Sequence, residues 1–193
     1  MARKPAADRV SRAQRTKKKI FQSASKLIDK YGYNQVTIAD ISKKAGVSVG
    51  AFYHYYNSKT DIIVEFFKQI DGYYEDIVEK QMTGDPDKDI ETFFYYYAKY
   101  HVDQGFEHTS MIIRIQSPFF LDKTRYLPRK LVSIIDQAKE KGRASEKFSS
   151  ELVADYFMTV ARGLLFDWVL TQGEYNLPER MTEYISMSKQ AFR

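Results

Sequence analysis

Residues 37–59 read TIADISKKAGVSVGAFYHYYNSK, a pattern typical of two short helices joined by a tight turn. Thr37 followed by Asp40 forms a capping box, in which a hydroxyl and a carboxylate satisfy the exposed amides of a helix's first turn. Gly46 is suited to the left-handed conformation that closes a helix, and Ser48 can cap the second helix. Two short helices joined by a glycine-containing turn predict a helix-turn-helix, whose second helix enters the DNA major groove.

The same pattern fits a plain helical hairpin in a larger bundle, but two features favour DNA binding. The second helix begins with Ser48, Val49 and Gly50, which are small enough to approach base edges closely. The side chains that follow are longer and can reach phosphate: Tyr53, His54, Tyr55, Tyr56 and Lys59.

Charge is divided unevenly along the 193-residue chain. Residues 1–60 contain 13 Lys and Arg against 3 Asp and Glu, whereas residues 61–193 contain 17 against 22. Positive charge concentrated around a helix-turn-helix is typical of a nucleic-acid footprint. A solvated basic tail is the alternative, but it leaves the neighbouring motif unexplained. Residues 1–11 could follow the duplex backbone or simply keep the chain in solution.

The composition limits the class of protein. Hydrophobic residues at 44% and aromatic residues at 15% predict a packed globular protein. The absence of cysteine excludes disulfides and thiol catalysis. No stretch approaches 18 uncharged apolar residues, and the first residues contain no apolar core of a secretory signal. We therefore expect a cytoplasmic protein without membrane association.

The run VTIADISKKAGVSVGAFYHYYNSKTDII, residues 36–63, resembles the DNA-binding motif of the TetR family of bacterial transcriptional regulators. The resemblance covers residues 12–67 as sequence and the rest of the chain only in length and helical character. It implies a homodimeric repressor that binds a palindromic DNA operator, with a DNA-binding domain at 1–57 and a ligand-binding and dimerisation domain at 58–193. It also implies roles for individual residues: phosphate contacts by Thr37, Tyr53, His54 and Lys59, and base contacts by Ser48, Val49 and Gly50.

Apolar spacing and capping residues predict an all-α chain of about nine helices, three in a helix-turn-helix head and about six in a helical-bundle body. Outside the motif, the predicted helices span approximately 12–31, 58–81, 86–104, 110–116, 126–141, 150–171 and 178–192.

The helix after Pro86 carries an aromatic run on several faces, at residues 93–97 and 100. These side chains could be divided between the core and subunit contacts, or some could line a cavity with hydroxyls facing a ligand. The TetR resemblance implies a cavity and therefore a small hydrophobic or amphipathic effector. The candidate lining residues are Phe67, Tyr74, Tyr97, Tyr100, Ile112, Phe119, Arg162 and Phe166.

The stretch 152–170 is apolar around nearly its whole circumference, and a helix of this kind must be buried on all sides. One face can meet the core of its own chain and another a second copy, with Gly163 allowing a close approach. Together with the apolar face of the last helix, this predicts a four-helix dimer interface.

Enzymatic chemistry has little support, since the sequence contains no Ser–His–carboxylate set, glycine-rich phosphate loop or paired carboxylates. We expect no catalytic residues, no cofactor and no metal. His101, Asp103, Glu107 and His108 match no established metal-ligand spacing, and we expect them at the surface. The alternative function is a DNA-binding regulator controlled by a protein partner, without a small inducer.

Overall fold

The computed structural model describes residues 6–115 and 121–192, with side chains over 12–113 and 121–192. All regular elements within these ranges are helical, which confirms the predicted all-α class. None of the described helices has the length and apolar character needed to cross a bilayer. The helices are α1 (Ala6–Tyr31), α2 (Ile38–Ala45), α3 (Val49–Tyr53), α4 (Lys59–Tyr73), α5 (Pro86–Gln104), α6 (Phe106–Ile115), α7 (Tyr126–Glu140), α8 (Ser150–Leu170) and α9 (Leu177–Lys189).

The chain divides into two compact units, which we call the head and the body, and the boundary lies between Phe66 and Phe67 inside α4. The sequence-based boundary between residues 57 and 58 falls instead at the start of α4. The difference arises because the first turns of α4 belong to the head, where Ile62, Ile63 and Phe66 are buried.

The head is built from α1, α2, α3 and the beginning of α4. Helix α1 packs against α2, and α2 packs against α3. The ring of Phe21 on α1 lies 4.5 Å, centroid to centroid, from that of Phe66 on α4. The residues that form the buried interior include Ile20, Ala24, Ile28, Val36, Ile41, Ala45, Phe52, Tyr56, Ile62 and Ile63.

The body contains the larger core. Helix α5 packs against α7 and α9, while α8 packs against α6, α7 and α9. The hydroxyl of Tyr74 donates a hydrogen bond to the carbonyl of Phe93 at 2.5 Å, so this fully buried tyrosine is paired within the body. Other fully buried large side chains include Phe94, Leu131, Ile135, Phe157 and Leu165.

Most predicted helix starts in the body are confirmed by their caps. Asp85 accepts from the amide of Asp87 at 3.1 Å, with Pro86 in the first turn. Ser149 accepts from the amide of Leu152 at 3.2 Å. A cap of this kind satisfies an amide that has no partner within the helix.

Three elements differ from the sequence prediction. Helix α1 begins at Ala6 rather than near residue 12. The helix expected over 58–81 is α-helical only to Tyr73 and continues as a π-helical turn (Tyr74–Val78) and a 3₁₀ turn (Glu79–Gln81). Helix α6 begins at Phe106 rather than near residue 110. Gly105 ends α5 at a φ of 93°, and its carbonyl accepts from the amide of Thr109 at 3.2 Å, so the next helix starts at once.

The expectation that His101 lies at the surface is wrong. Its side chain is 3% exposed, and its imidazole contacts the rings of Tyr97 and Tyr100 edge-on. Its Nδ1 lies 3.4 Å from the hydroxyl of Thr109, whereas Nε2 has no hydrogen-bond partner among the described residues. Burial lowers the pKa of His101 to about 3 and that of His108 to about 4, so both imidazoles stay neutral in the folded chain.

Acid should therefore destabilise the fold. Below the ordinary histidine pKa of 6.5, the unfolded chain binds protons that the folded chain does not. The free energy of unfolding should fall by about 1.4 kcal/mol per pH unit for each of the two histidines. Chemical unfolding of wild type and His101→Gln at pH 7, 6 and 5 should give a shallower slope for the variant.

The comparison variant is His54→Gln, which removes a histidine whose side chain is exposed rather than buried. An equal slope for wild type and His101→Gln would show that His101 takes up a proton in the folded state.

Candidate functional site

The turn between α2 and α3 is fixed by local hydrogen bonds. The amide of Asp40 donates to the Thr37 hydroxyl at 3.1 Å, and the amide of Thr37 donates to the Asp40 carboxylate at 3.0 Å, which confirms the capping box. Hydrogen bonds from Thr37 hold the pKa of the Asp40 carboxyl below its usual value. Gly46 ends α2 at a φ of 65°, and the amide of Val47 donates to the carbonyl of Ser42 at 3.0 Å. The turn is therefore set by contacts within residues 37–47.

Helix α3 has one anchor and one exposed surface. Phe52 is fully buried, and its ring packs against those of Tyr53 and Tyr56. The Ser48 hydroxyl accepts from the amide of Ala51 at 3.0 Å, which caps the helix. Six of the seven predicted DNA-contact residues have exposed side chains or, for glycine, an exposed backbone: Thr37, Ser48, Val49, Gly50, Tyr53 and His54.

Lys59 has a structural role that the sequence prediction missed. Its Nζ donates to the carbonyl of Tyr33 at 2.5 Å and to that of Val36 at 2.9 Å, and it lies 4.1 Å from the centroid of the Tyr33 ring. The Tyr33 hydroxyl is also within hydrogen-bond distance of Thr60. Burial lowers the pKa of the Lys59 ammonium. Lys59 thus fastens the segment that leads into α2 to the start of α4.

A second lysine of the head, Lys17, also makes contacts within the head. Lys17 on α1 forms an ion pair with Glu65 on α4 at 2.9 Å, and its ammonium lies 5.5 Å from the centroid of the Tyr56 ring. Its neighbours Lys18 and Lys19 are exposed. Lys17 therefore supports the packing of α1 on α4, while its neighbours face solvent.

The candidate ligand residues fall into three groups. Phe67, Tyr74, Tyr97, Tyr100 and Ile112 are buried in the body. Burial raises the pKa of Tyr97 and of Tyr100 to about 12, which keeps both hydroxyls protonated.

The other candidates are placed differently. Phe166 is 52% exposed, and Arg162 is partly exposed, with its guanidinium donating to the Thr159 hydroxyl at 3.1 Å. Phe119 lies outside the described residues. Within the described part of the chain, no group of three or more His, Cys, Asp or Glu is arranged to hold a metal ion.

The sequence of the head has close counterparts among known proteins. The family model described as "Bacterial regulatory proteins, tetR family" matches residues 20–66, the stretch that holds all seven predicted DNA contacts. The fatty acid metabolism regulator protein of Bacillus subtilis (strain 168) is 38% identical over 66 residues, which cover 32% of this chain and 34% of that protein. Residues 20–66 are therefore a DNA-binding domain of the TetR family.

The fold is similar to that of solved structures over most of the chain, beyond the matched domain. The fatty acid degradation regulator FadR from Bacillus halodurans superposes with a TM-score of 0.73 at 19% identity, over 92% of this chain and 96% of that chain. FadR from Bacillus subtilis, solved in complex with stearoyl-CoA, gives 0.73 at 18% identity, over 91% and 98%. At such identities the likeness is one of fold alone.

Sequence similarity to the curated relatives covers only part of the chain, between 32% and 47% of its length. The chain spans about a third of the length of the first three curated relatives it matches. These relatives are described as regulators, which agrees with the expectation that the chain is not an enzyme.

Replacing Lys59 should separate its two roles. Lys59→Ala should lower the free energy of unfolding by about 1–3 kcal/mol, because two carbonyls lose a charged donor. If the ammonium also contacts phosphate, the slope of log affinity for DNA against log salt should fall by about one. Denaturant unfolding and DNA titration at several salt concentrations measure the two effects.

Lys44→Ala is the control for stability, because Lys44 is an exposed lysine of the same unit. A destabilised Lys59→Ala protein that keeps the full salt slope would remove Lys59 from the DNA interface and leave it a structural residue.

Proposed function

We propose that the chain is a homodimeric transcriptional repressor that binds a palindromic operator and is released by a small amphipathic ligand. The observation that carries the proposal is α3, a short helix held by buried Phe52 with an exposed surface of small residues, inside the stretch that matches the TetR family model. A DNA-binding regulator of this kind would act in the cytoplasm.

In this proposal the head divides its DNA contacts by chemistry. Ser48, Val49 and Gly50 approach base edges, where their small side chains permit close contact. The phosphate contacts, which position the protein, come from Thr37, Tyr53, His54 and Lys59. Because the tip of α3 offers few hydrogen-bond donors, sequence preference would depend in large part on the shape of the duplex.

A second copy of the chain would bind along α8 and α9. Leu152, Tyr156, Phe166 and Leu170 form an exposed apolar stripe on α8, and α9 adds exposed Tyr184 and Met187. Gly163 lies on the same side of α8, with open space where a side chain would project. Exposed apolar surface of this extent on a regular helix favours burial against another chain.

The proposed effector binds in the body. The buried aromatic residues Tyr74, Tyr97 and Tyr100, together with Phe67 and Ile112, suit an apolar group. The guanidinium of the partly exposed Arg162 suits a polar or anionic end of the ligand, while Phe119 and Phe166 are further apolar candidates. The B. subtilis FadR structure contains stearoyl-CoA, so a long-chain acyl-CoA is the first ligand to test.

For release, the effector must bind the conformation that does not bind DNA more tightly than the one that does. A coupling free energy of about 1–3 kcal/mol changes DNA affinity by roughly 5- to 150-fold.

The second candidate is a regulator controlled by a partner protein. It is favoured by exposed apolar side chains on α5, where Tyr95 is 41% and Val102 is 39% exposed, outside the predicted dimer surface.

DNA binding is tested by selecting duplexes from a random pool with the full chain and measuring affinity at several salt concentrations. A protein that neutralises several phosphates loses affinity steeply, with a slope of about −0.9 per phosphate. Tyr53→Phe should weaken binding about 3- to 10-fold without changing the slope, because it removes one neutral hydrogen bond. Tyr95→Phe, the same change on the body, should have no effect.

Stearoyl-CoA then separates the two candidates when added to the preformed complex, with free coenzyme A as the control. Release by stearoyl-CoA alone supports an acyl ligand. Failure to select any duplex in dilute salt would contradict the whole proposal.

The dimer surface is tested with Leu170→Glu. A carboxylate placed in an apolar interface loses its hydration without gaining a partner. Sedimentation equilibrium should give twice the 22.6 kDa chain mass for wild type and a single chain mass for the variant. Val102→Glu on α5 is the control and should stay dimeric. A wild-type monomer at micromolar concentration would exclude the proposed assembly.

A further inference from the structure

The backbone passes from the head to the body inside α4, because the boundary between the two units lies between Phe66 and Phe67. Whatever fixes the body portion of α4 therefore acts on the covalent connection to the head. The contacts of residues 67–81 show how firmly this portion is held.

The body portion of α4 is held by an ion pair between Asp71 on α4 and Arg125, the residue that precedes α7. Nε of Arg125 donates to one carboxylate oxygen of Asp71 and Nη2 to the other, each at 3.0 Å. Nη2 also donates to the carbonyl of Phe67 at 3.2 Å, and the guanidinium lies 4.5 Å from the centroid of the Phe67 ring. The amide of Leu127 donates to Asp71 at 3.3 Å. Arg125 thus contacts both Phe67 and Asp71, which lie about one helical turn apart on α4.

The ion pair lies next to the irregular part of the helix that begins with α4. The π-helical turn (Tyr74–Val78) starts three residues after Asp71, and such turns interrupt the regular hydrogen bonding of a helix. Beyond it, Glu79 accepts from Lys130 at 2.8 Å and from the hydroxyl of Tyr126, both on α7. The π-helical turn is therefore flanked by two contacts, one from Asp71 to Arg125 just before α7 and one from Glu79 to α7 itself.

The burial of the pair separates it from an ordinary surface contact. The side chains of Arg125 and Asp71 are 14% and 15% exposed. Two residues earlier, Lys123 pairs with Asp155 on α8, and those side chains are 62% and 49% exposed. Exposed pairs contribute little, whereas loss of one partner of a buried pair leaves an uncompensated charge. We therefore expect the loss of the Arg125–Asp71 pair to matter more than the loss of the Lys123–Asp155 pair.

We propose that Arg125 is a positioning residue for DNA binding, which holds α4 through Asp71 and so fixes the placement of each head for simultaneous contact with two half-sites. The inference rests on the proposed function, since it requires a dimer and a palindromic site. Arg125 touches no DNA in this proposal. Its loss lets the irregular stretch sample more conformations, and ordering them again on binding lowers the affinity.

The test compares two duplexes: a palindromic duplex selected from a random pool by the wild-type chain, and a duplex that carries only one half-site. Arg125→Gln should weaken binding to the palindrome about 5- to 100-fold, within the range of known couplings between sites. Binding to the half-site should change less than about twofold, because one head binds without regard to the other. The salt slope should stay at the wild-type value, since no phosphate contact is removed.

Lys123→Gln is the matched control, since it makes an equal charge change in the same loop and breaks the exposed pair. It should leave both affinities unchanged. Asp71→Asn, which keeps the shape of the side chain and removes its charge, should reproduce the effect of Arg125→Gln and serves as the second variant if Arg125→Gln fails to fold. Amide hydrogen exchange over residues 67–78 should be faster in both variants and unchanged in the control.

The affinities for the two duplexes separate a positioning role from a purely structural one. Equal losses on the palindrome and the half-site, or no loss on either, would overturn the positioning role and leave a pair that only stabilises the body. A wild-type chain that binds the half-site as tightly as the palindrome would contradict the proposed function itself, and the inference would fall with it.

Discussion

Helix α3 contains five residues, fewer than an isolated helix needs to be stable in water, so its conformation depends on contacts outside itself. The burial of Phe52 supplies the main contact, and the Ser48 cap fixes the first turn. The turn before α3 is in turn set by Gly46 and by the capping box at Thr37. Every proposed base contact follows from these constraints, because Val49 and Gly50 keep their places at the start of α3 only while Phe52 holds the helix to the head.

Charge in the head serves two purposes. The excess of positive charge over residues 1–60 suggests a large electrostatic footprint. However, the ammonium groups of Lys17 and Lys59 contact a carboxylate, backbone carbonyls and aromatic rings of the head itself. A simple count of basic residues therefore overstates the charge available to a partner, since part of it holds α1, α2 and α4 together.

The sequence was informative wherever the determining interactions are local. Caps such as Thr37 with Asp40, or Asp85 before Pro86, join residues within one turn, and they placed most helix starts correctly. The roles of Lys59 and His101 could not be inferred, because they depend on partners brought together by tertiary packing. Lys59 binds carbonyls more than 20 residues away in the chain. The aromatic run on α5 shows the same limit: its spacing could not tell buried Phe94 from exposed Tyr95.

The position of the unit boundary inside α4 has a consequence for dissecting or recombining proteins of this kind. Ile62, Ile63 and Phe66 complete the interior of the head, and Phe66 packs directly on Phe21 of α1. A fragment cut just before α4 would lose these side chains and expose the apolar surface they cover. Chimeras that graft this head onto another body should therefore be joined after Phe66, within a continuous helix, so that the helical phase of the junction becomes part of the design.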